Sequence, residues 1–257
     1  MSFTALARSR VLSHSLAFLI LCAPACNRSA KSGTDDAAKA PKGPPADIWN
    51  HFDGMHALEA VQKQVECGPR PAGSSALARA RQLIIDSLAA DGWSTELQEF
   101  TADTPHGPLS MVNVVARFQG KKGPEPDLSR QVVVLGSHYD TKVFSTIPFV
   151  GANDGASSTG ALLEIARTLA LDPSLAAKVE LVFFDGEEAI QQFTETDGLY
   201  GSRYYAARLR DSGRNAQFRC GLVLDMIGDK DLTVTLPLDS PRELTQGVLA
   251  SAEALQC

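Results

Sequence analysis

The chain has 257 residues, of which 44% are hydrophobic and 21% charged. That usage excludes wholesale disorder, and the length is enough to bury a core without disulfide staples. Its 20 Gly and 14 Pro are too few for a collagen-like chain, and a formal charge of −6 excludes a phosphate-binding surface spread over the whole fold, so no nucleic-acid partner is expected.

Arg8 and Arg10 precede an apolar stretch, Val11 to Cys22, that ends in small residues at Ala23 and Ala25. A positive flank, a short apolar core and a small-residue end are the parts of a secretory signal, and the apolar core is shorter than the roughly 20 residues of a membrane-spanning helix. Residues 1–25 are therefore expected to direct export. Cys26 offers a lipid-modified N-terminus, although Ala23 stands where such signals usually carry Leu. A periplasmic or outer-membrane lipoprotein, plain secretion and an uncleaved anchor all stay open, and contact with a membrane is expected only through that lipid. Residues 27–47 hold Ser, Lys, Gly, Asp, Ala and Pro with almost nothing apolar, the composition of a flexible tether.

The folded domain is expected over 48–257. From Ile48 to Gly92 the pattern is helical, with one helix over Ala76 to Leu88 that starts after Pro71–Ser75 and stops at Gly92. Trp93 to Phe100 alternates and reads as a strand, as does Met111 to Phe118; Lys121 to Ser129 is a loop. Then strands and helices alternate: Gln131–Gly136, helix Ala156–Leu171, Val179–Phe184, helix Leu199–Asp211, Cys220–Asp225, helix Pro241–Leu255. This rhythm predicts an α/β fold with a mostly parallel central sheet flanked by helices on both faces. Cys67 and Cys220 are either bridged, as export permits, or free thiols.

In such sheets ligands bind beyond the carboxyl ends of the strands. The polar residues fall there: His138 and Asp140 after the first buried strand; Asp185, Glu187 and Glu188 after the second; Asp225 after the third; and Asp154 where a loop meets a helix. Adjacent carboxylates repel one another and lose solvation. A cation relieves that, and a remaining carboxyl with a raised pKa can carry a proton. By itself the Glu187–Glu188 pair also fits a solvated acidic loop, and Asp154 fits a helix N-cap. Asp154 and Glu188 offer oxygen ligands to zinc, which would also want a His nitrogen. His138 is the one histidine in the second half of the chain, since the others are 14, 51, 56 and 106. No Gly-x-Ser-x-Gly elbow and no Lys-bearing phosphate loop occurs.

Five ordered motifs go further: Ser137-His-Tyr-Asp-Thr-Lys142, Val150-Gly-Ala-Asn-Asp-Gly155, Phe183-Phe-Asp-Gly-Glu-Glu-Ala189, Leu199-Tyr-Gly-Ser-Arg203 and Leu224-Asp-Met-Ile-Gly228. Together they resemble the zinc-dependent glutaminyl-peptide cyclotransferases, a branch of the zinc aminopeptidase superfamily. Tyr139, Lys142 and the stretch Ile190 to Asp197 look cyclase-like; the carboxylates are shared with the aminopeptidases. The resemblance implies an acyltransferase that closes the N-terminal Gln of a peptide or protein into pyroglutamate and releases ammonia. It implies one zinc per chain held by Asp154 and Glu188, with Glu187 as general acid/base and Asp225 supporting the reacting nitrogen. His138 and Asp140 would stand behind the ligands, and Phe193 would take the place of a pocket Trp. A monomer is expected. The family's third ligand is a late His, which has no counterpart after His138, so a C-terminally truncated chain is expected. A zinc aminopeptidase and a non-catalytic peptide-binding domain remain the alternatives.

Overall fold

The computed structural model describes residues 47–120, 132–237 and 239–255. The expected signal, the tether as far as Ala46, and the loop Lys121–Ser129 lie outside the described residues. A main unit extends to Val234, and a second unit, from Thr235, carries the helix Arg242–Leu255.

A short 3-10 turn at Ile48–His51 leads to helix α1, Gly54–Glu66. The Asp53 side chain caps it, accepting from the N–H groups of Met55 (2.9 Å) and His56 (3.3 Å). Helix α2, Ser75–Ala90, is capped by Ser74, which accepts from Leu77 N at 3.1 Å, and it buries Leu77, Ile84 and Leu88 along one stripe. Strands β1, Trp93–Thr104, and β2, Gly107–Phe118, form a hairpin in unbroken antiparallel register from Trp93↔Phe118 to Thr104↔Gly107.

Both hairpin strands run longer than their hydrophobic pattern predicts. The extra residues, near 101–110, are mostly polar or small apart from Leu109 and pair through the backbone, with Thr104 Oγ1 donating to Gly107 O at 2.6 Å across the turn. Side-chain alternation carries no trace of that.

Strand β3, Val132–His138, leads through a kinked turn at Ala152–Ser157 into α3, Ser158–Leu169. The short α4, Pro173–Ala176, precedes β4, Val179–Phe184; α5, Tyr200–Asp211, and β5, Phe218–Val223, follow. The last helix, α6, is Arg242–Leu255.

The five strands lie in the order β1-β2-β4-β3-β5. β3 pairs in parallel with both β4 and β5, but β2 pairs antiparallel with β4 as well as with β1. The sheet is therefore mixed, which corrects the mostly parallel sheet expected. The strand–helix rhythm holds for β3, β4 and β5. A two-residue turn between β1 and β2 forces the antiparallel pairing, and the hairpin then adds its second strand to β4.

Alternation along the central strands divides the core. Val114, Ala116, Leu181 and Phe183 pack with Leu77, Ile84 and Leu88 of α2 and Leu162 and Ala166 of α3. Val115, Val182 and Phe184 face Tyr205 of α5 instead. Helices thus cover both faces, as expected. Cys67 and Cys220 are not bridged to each other. Among the described residues no helix is long and apolar enough to cross a membrane.

Candidate metal and catalytic site

β3 ends on His138, which is 2% exposed. Its Nδ1 lies 3.4 Å from Asp140 Oδ1, and its Nε2 lies 3.1 Å from Asp154 Oδ1 and 3.3 Å from Asp225 Oδ1. Asp225 follows β5, whose pairing is prolonged by Leu224 N donating to Gly136 O at 2.8 Å. Asp154 reaches the imidazole because the turn before α3 kinks at Gly155, with φ 85°. A Cβ at Gly155 would sit 2.9 Å from Asp140 O and 3.1 Å from His138 Cε1, so only glycine allows this approach.

The loop after β4 joins through Asp140, whose two oxygens accept from Glu187 N (3.1 Å) and Glu188 N (3.2 Å). A single carboxylate thus orients the imidazole of β3 and the backbone of the Glu-Glu pair. Asp185, just before, accepts from Val112 N at 2.8 Å through Oδ2, while its buried Oδ1 has no hydrogen-bond partner among the described residues.

The charges are unevenly compensated. Burial lifts Glu187 to about 8; His138 opposes the shift, while Asp140, Asp225 and Asp154 reinforce it. Burial, then repulsion from Asp154, Asp140 and Glu187, pushes Glu188 up as well. Burial and Asp140 hold Asp185 at about 8. For His138 burial disfavours the charge, but hydrogen bonds to three carboxylates outweigh it and raise the imidazole well above its ordinary value.

The ligand atoms of His138, Asp154 and Asp225 lie within 4.8 Å of one another. An imidazole nitrogen with carboxylate oxygens is a donor set that suits zinc. The surrounding excess of buried acid is what a dication would relieve, so the residues fit a metal. The structure brings His138, Asp140, Asp154 and Asp225 together directly, and Glu187 and Glu188 through their backbone. Glu188, expected as a ligand, is not one of the three converging residues, whereas His138, expected behind the ligands, is.

Tyr139 turns away from the site into the core and donates to Val112 O at 2.5 Å. Lys142 donates to the Ala189 carbonyl and stands 5.6 Å from the Phe193 ring.

Two organising residues escaped the sequence reading. Asp197 accepts from the N–H groups of Ile190 (2.7 Å), Gln191 (2.9 Å) and Gln192 (3.1 Å) and from Tyr200 Oη (2.8 Å), folding the stretch after the Glu-Glu pair around one carboxylate. Its place at the end of a polar stretch before a glycine was the only signal. Arg70, fully buried, donates to the carbonyls of Gln64, Gly68, Tyr139, Val150 and Gly151. It ties α1 to both ends of the loop between β3 and α3, beside Asp140 and Asp154, and no periodicity marks it.

The profile of peptidase family M28 matches residues 113–253, more than half of the chain and all of the site. The chain belongs to peptidase family M28. Within the family it is 34% identical to the glutaminyl-peptide cyclotransferase-like protein of Bos taurus over 72% of its own length and 48% of that protein. It thus spans about half the length of the curated relatives it matches. Among solved structures it resembles Acidobacteriales bacterium glutaminyl cyclase, with a TM-score of 0.72 and 36% identity over 86% of this chain and 73% of that one. A Zn-dependent exopeptidase from Parabacteroides distasonis gives a TM-score of 0.66 at 25% identity over 79% of this chain and 73% of that one.

Proposed function

We propose that this M28 chain belongs to a glutaminyl-peptide cyclotransferase, which closes an N-terminal glutamine into pyroglutamate and releases ammonia. The observation that carries the reading is Glu187. It is a half-buried carboxyl in the loop after β4, its backbone N–H held by Asp140 beside the His138–Asp154–Asp225 cluster, and burial raises it to about 8, a range in which it can exchange a proton near neutral pH.

Asp154 and Glu188 are the chain's proposed ligands to one zinc, and bound zinc supplies the Lewis acidity that polarises the γ-carbonyl of the glutamine side chain. His138 and Asp140 hold Asp154 and the Glu-Glu backbone in place. Asp225 stands 3.3 Å from the same imidazole and orients the substrate's α-amine. The amine nitrogen bonds to the γ-carboxamide carbon of its own residue, so the attack is intramolecular and the folded substrate needs only to be held. Glu187 accepts the proton released by the amine and delivers it to the carboxamide nitrogen. The C–N bond then breaks, ammonia leaves, and the carboxyl returns to its starting form. Peptide or protein N-termini bearing Gln are the partners, and the setting is extracytoplasmic, supported by the Arg8–Ala25 pattern. A coupled assay of ammonia release from an N-terminal Gln peptide, with zinc and with chelator, tests the reading: chelator-sensitive release supports it, and absence of release from the zinc-loaded chain contradicts it.

The convergence of His138, Asp154 and Asp225 favours a second reading, in which these three hold a metal themselves and the chain serves an aminopeptidase with two metals. Free amino acid in place of ammonia, with two metals per chain, would identify it.

A further inference from the structure

On the face of the sheet that α5 covers, a crevice of about 250 Å3 opens between the hairpin and the end of that helix. Glu96 and Gln98 of β1, Arg117 of β2, Arg208 and Leu209 of α5 and Arg214 of the 3-10 turn Arg214–Gln217 line it. It shares no residue with the acidic cluster at the strand ends. Its space is many times the roughly 15 Å3 that one water needs, and below the about 300–1,000 Å3 of clefts that take drug-sized ligands. A guest of a few heavy atoms fits.

The crevice reverses the sign of the chain, whose formal charge is −6. Three guanidiniums meet two carboxylates, Glu96 on the lining and Glu180 next to it. Arg117 donates to Glu180 at 2.5 Å and to Glu96 at 2.8 Å, and Arg214 donates to Glu180 at 2.8 Å. Those two arginines answer both acids. Arg208 is exposed and has no ion-pair partner among the described residues, yet its charge is felt here. Burial would raise the Glu96 carboxyl, but Arg117, Arg214 and Arg208 together hold it below the ordinary range.

Two buried atoms of the lining have no hydrogen-bond partner among the described residues, Arg214 Nε and Gln98 Oε1. Gln98 is only 8% exposed, so bulk water does not serve it. An amide that turns by half a rotation exchanges its oxygen for its NH2, so Gln98 can meet a guest as a donor, and Arg214 Nε can only donate. We propose that this crevice is a second binding site, one that takes a phosphate group, with Arg208, Arg214 Nε and the Gln98 amide around its oxygens. The donors come from three separate elements: a helix, a turn and a strand. A tetrahedral oxyanion can accept from all of them, whereas a carboxylate offers two oxygens in one plane. The phosphate arrives either free or as the monoester headgroup of a lipid, reaching in past the exposed Arg208. Bound there, it ties β1, an edge strand of the sheet, to α5. The site does not depend on the cyclase reading.

The test has two arms, both on the full zinc-loaded chain. One is a calorimetric titration with inorganic phosphate at an ionic strength fixed with chloride; the other is flotation with phosphatidylcholine vesicles, with and without phosphatidic acid. Phosphate should bind with and without chelator and should raise the thermal midpoint above its value in chloride. Arg208→Gln, at an exposed position where folding is not at stake, should weaken binding about ten-fold, the scale of one charge-assisted hydrogen bond. Gln98→Glu sets a carboxylate in the lining and should abolish it. Capture by phosphatidic acid beyond that on phosphatidylcholine alone, lost in Arg208→Gln, would make a lipid headgroup the source. A response to inorganic phosphate alone would make it the free ion. Binding in neither arm would overturn the inference. So would binding that chelator removes, or that both variants leave unchanged, because the anion would then sit elsewhere.

Discussion

Two sets of buried carboxylates in this molecule behave in opposite ways. Near the start of β4, Glu180 accepts from Arg117 Nε at 2.5 Å, from an Arg214 guanidinium nitrogen at 2.8 Å and from the Tyr205 hydroxyl. Glu164 on α3 is similarly served by Arg167, by His56 at 2.6 Å and by Asp53 N at 2.7 Å, and these donors outweigh burial to hold its carboxyl below the ordinary range. At the strand ends Asp185 and Glu188 are buried and Glu187 is half-buried, mostly among other acids; His138 opposes the shifts of Glu187 and Glu188 and Arg81 that of Asp185, yet all three carboxyls rise. Where the fold needs a carboxylate for structure, it surrounds it with donors. Where acids gather without such donors, their repulsion is what a bound cation would relieve.

Removing Asp154 should break the second set most completely. Asp154→Ala takes away the carboxylate nearest His138 Nε2 and should abolish zinc binding, read as metal content after dialysis, and all turnover with it. Glu187→Gln should keep the metal and lower kcat by roughly 10²- to 10⁴-fold, the usual worth of a positioned proton carrier. Full activity in that variant would end the role assigned to Glu187.

The first set answers to stability instead. Arg117→Ala leaves Glu180 buried with one guanidinium fewer and should destabilise the fold by about 2–3 kcal/mol, less than a full loss of partners because Arg214 and Tyr205 remain. A lower denaturation midpoint with unchanged slope would show it. The smallest effect is the pH response of Glu164. Its folded pKa lies below the ordinary 4.5, so its stabilisation is complete above that value and lost as pH falls through the folded pKa. Thermal midpoints should drop below about pH 4.5 in the parent chain and less steeply in Glu164→Gln.

The comparison also explains what could be read in the sequence. β3, β4 and β5 were legible as apolar runs followed by polar clusters. His138, Asp140 and Asp225 were found for the same reason, since a parallel strand delivers whatever follows it to one edge, and Asp154 by its place where the loop after β3 meets α3. In the antiparallel half the two strands were legible but not their full length or their pairing, because the mostly polar arm at 101–110 pairs through its backbone and the addition of β2 to β4 is a long-range event. Arg70 and Asp197 stayed hidden because nearly all their partners are backbone groups, which leave no mark in residue type. The standing of His138 within the converging group, with Glu188 outside it, depends on the kink at Gly155 and on distances that spacing along the chain cannot supply.

The most direct measurement is the intact mass of an N-terminal Gln peptide after incubation with the zinc-loaded chain. A product lighter by one ammonia that keeps every residue, and that disappears with chelator or in Glu187→Gln, is the result expected. A peptide shortened by its first residue, or one left unchanged by the metal-loaded chain, would contradict the account.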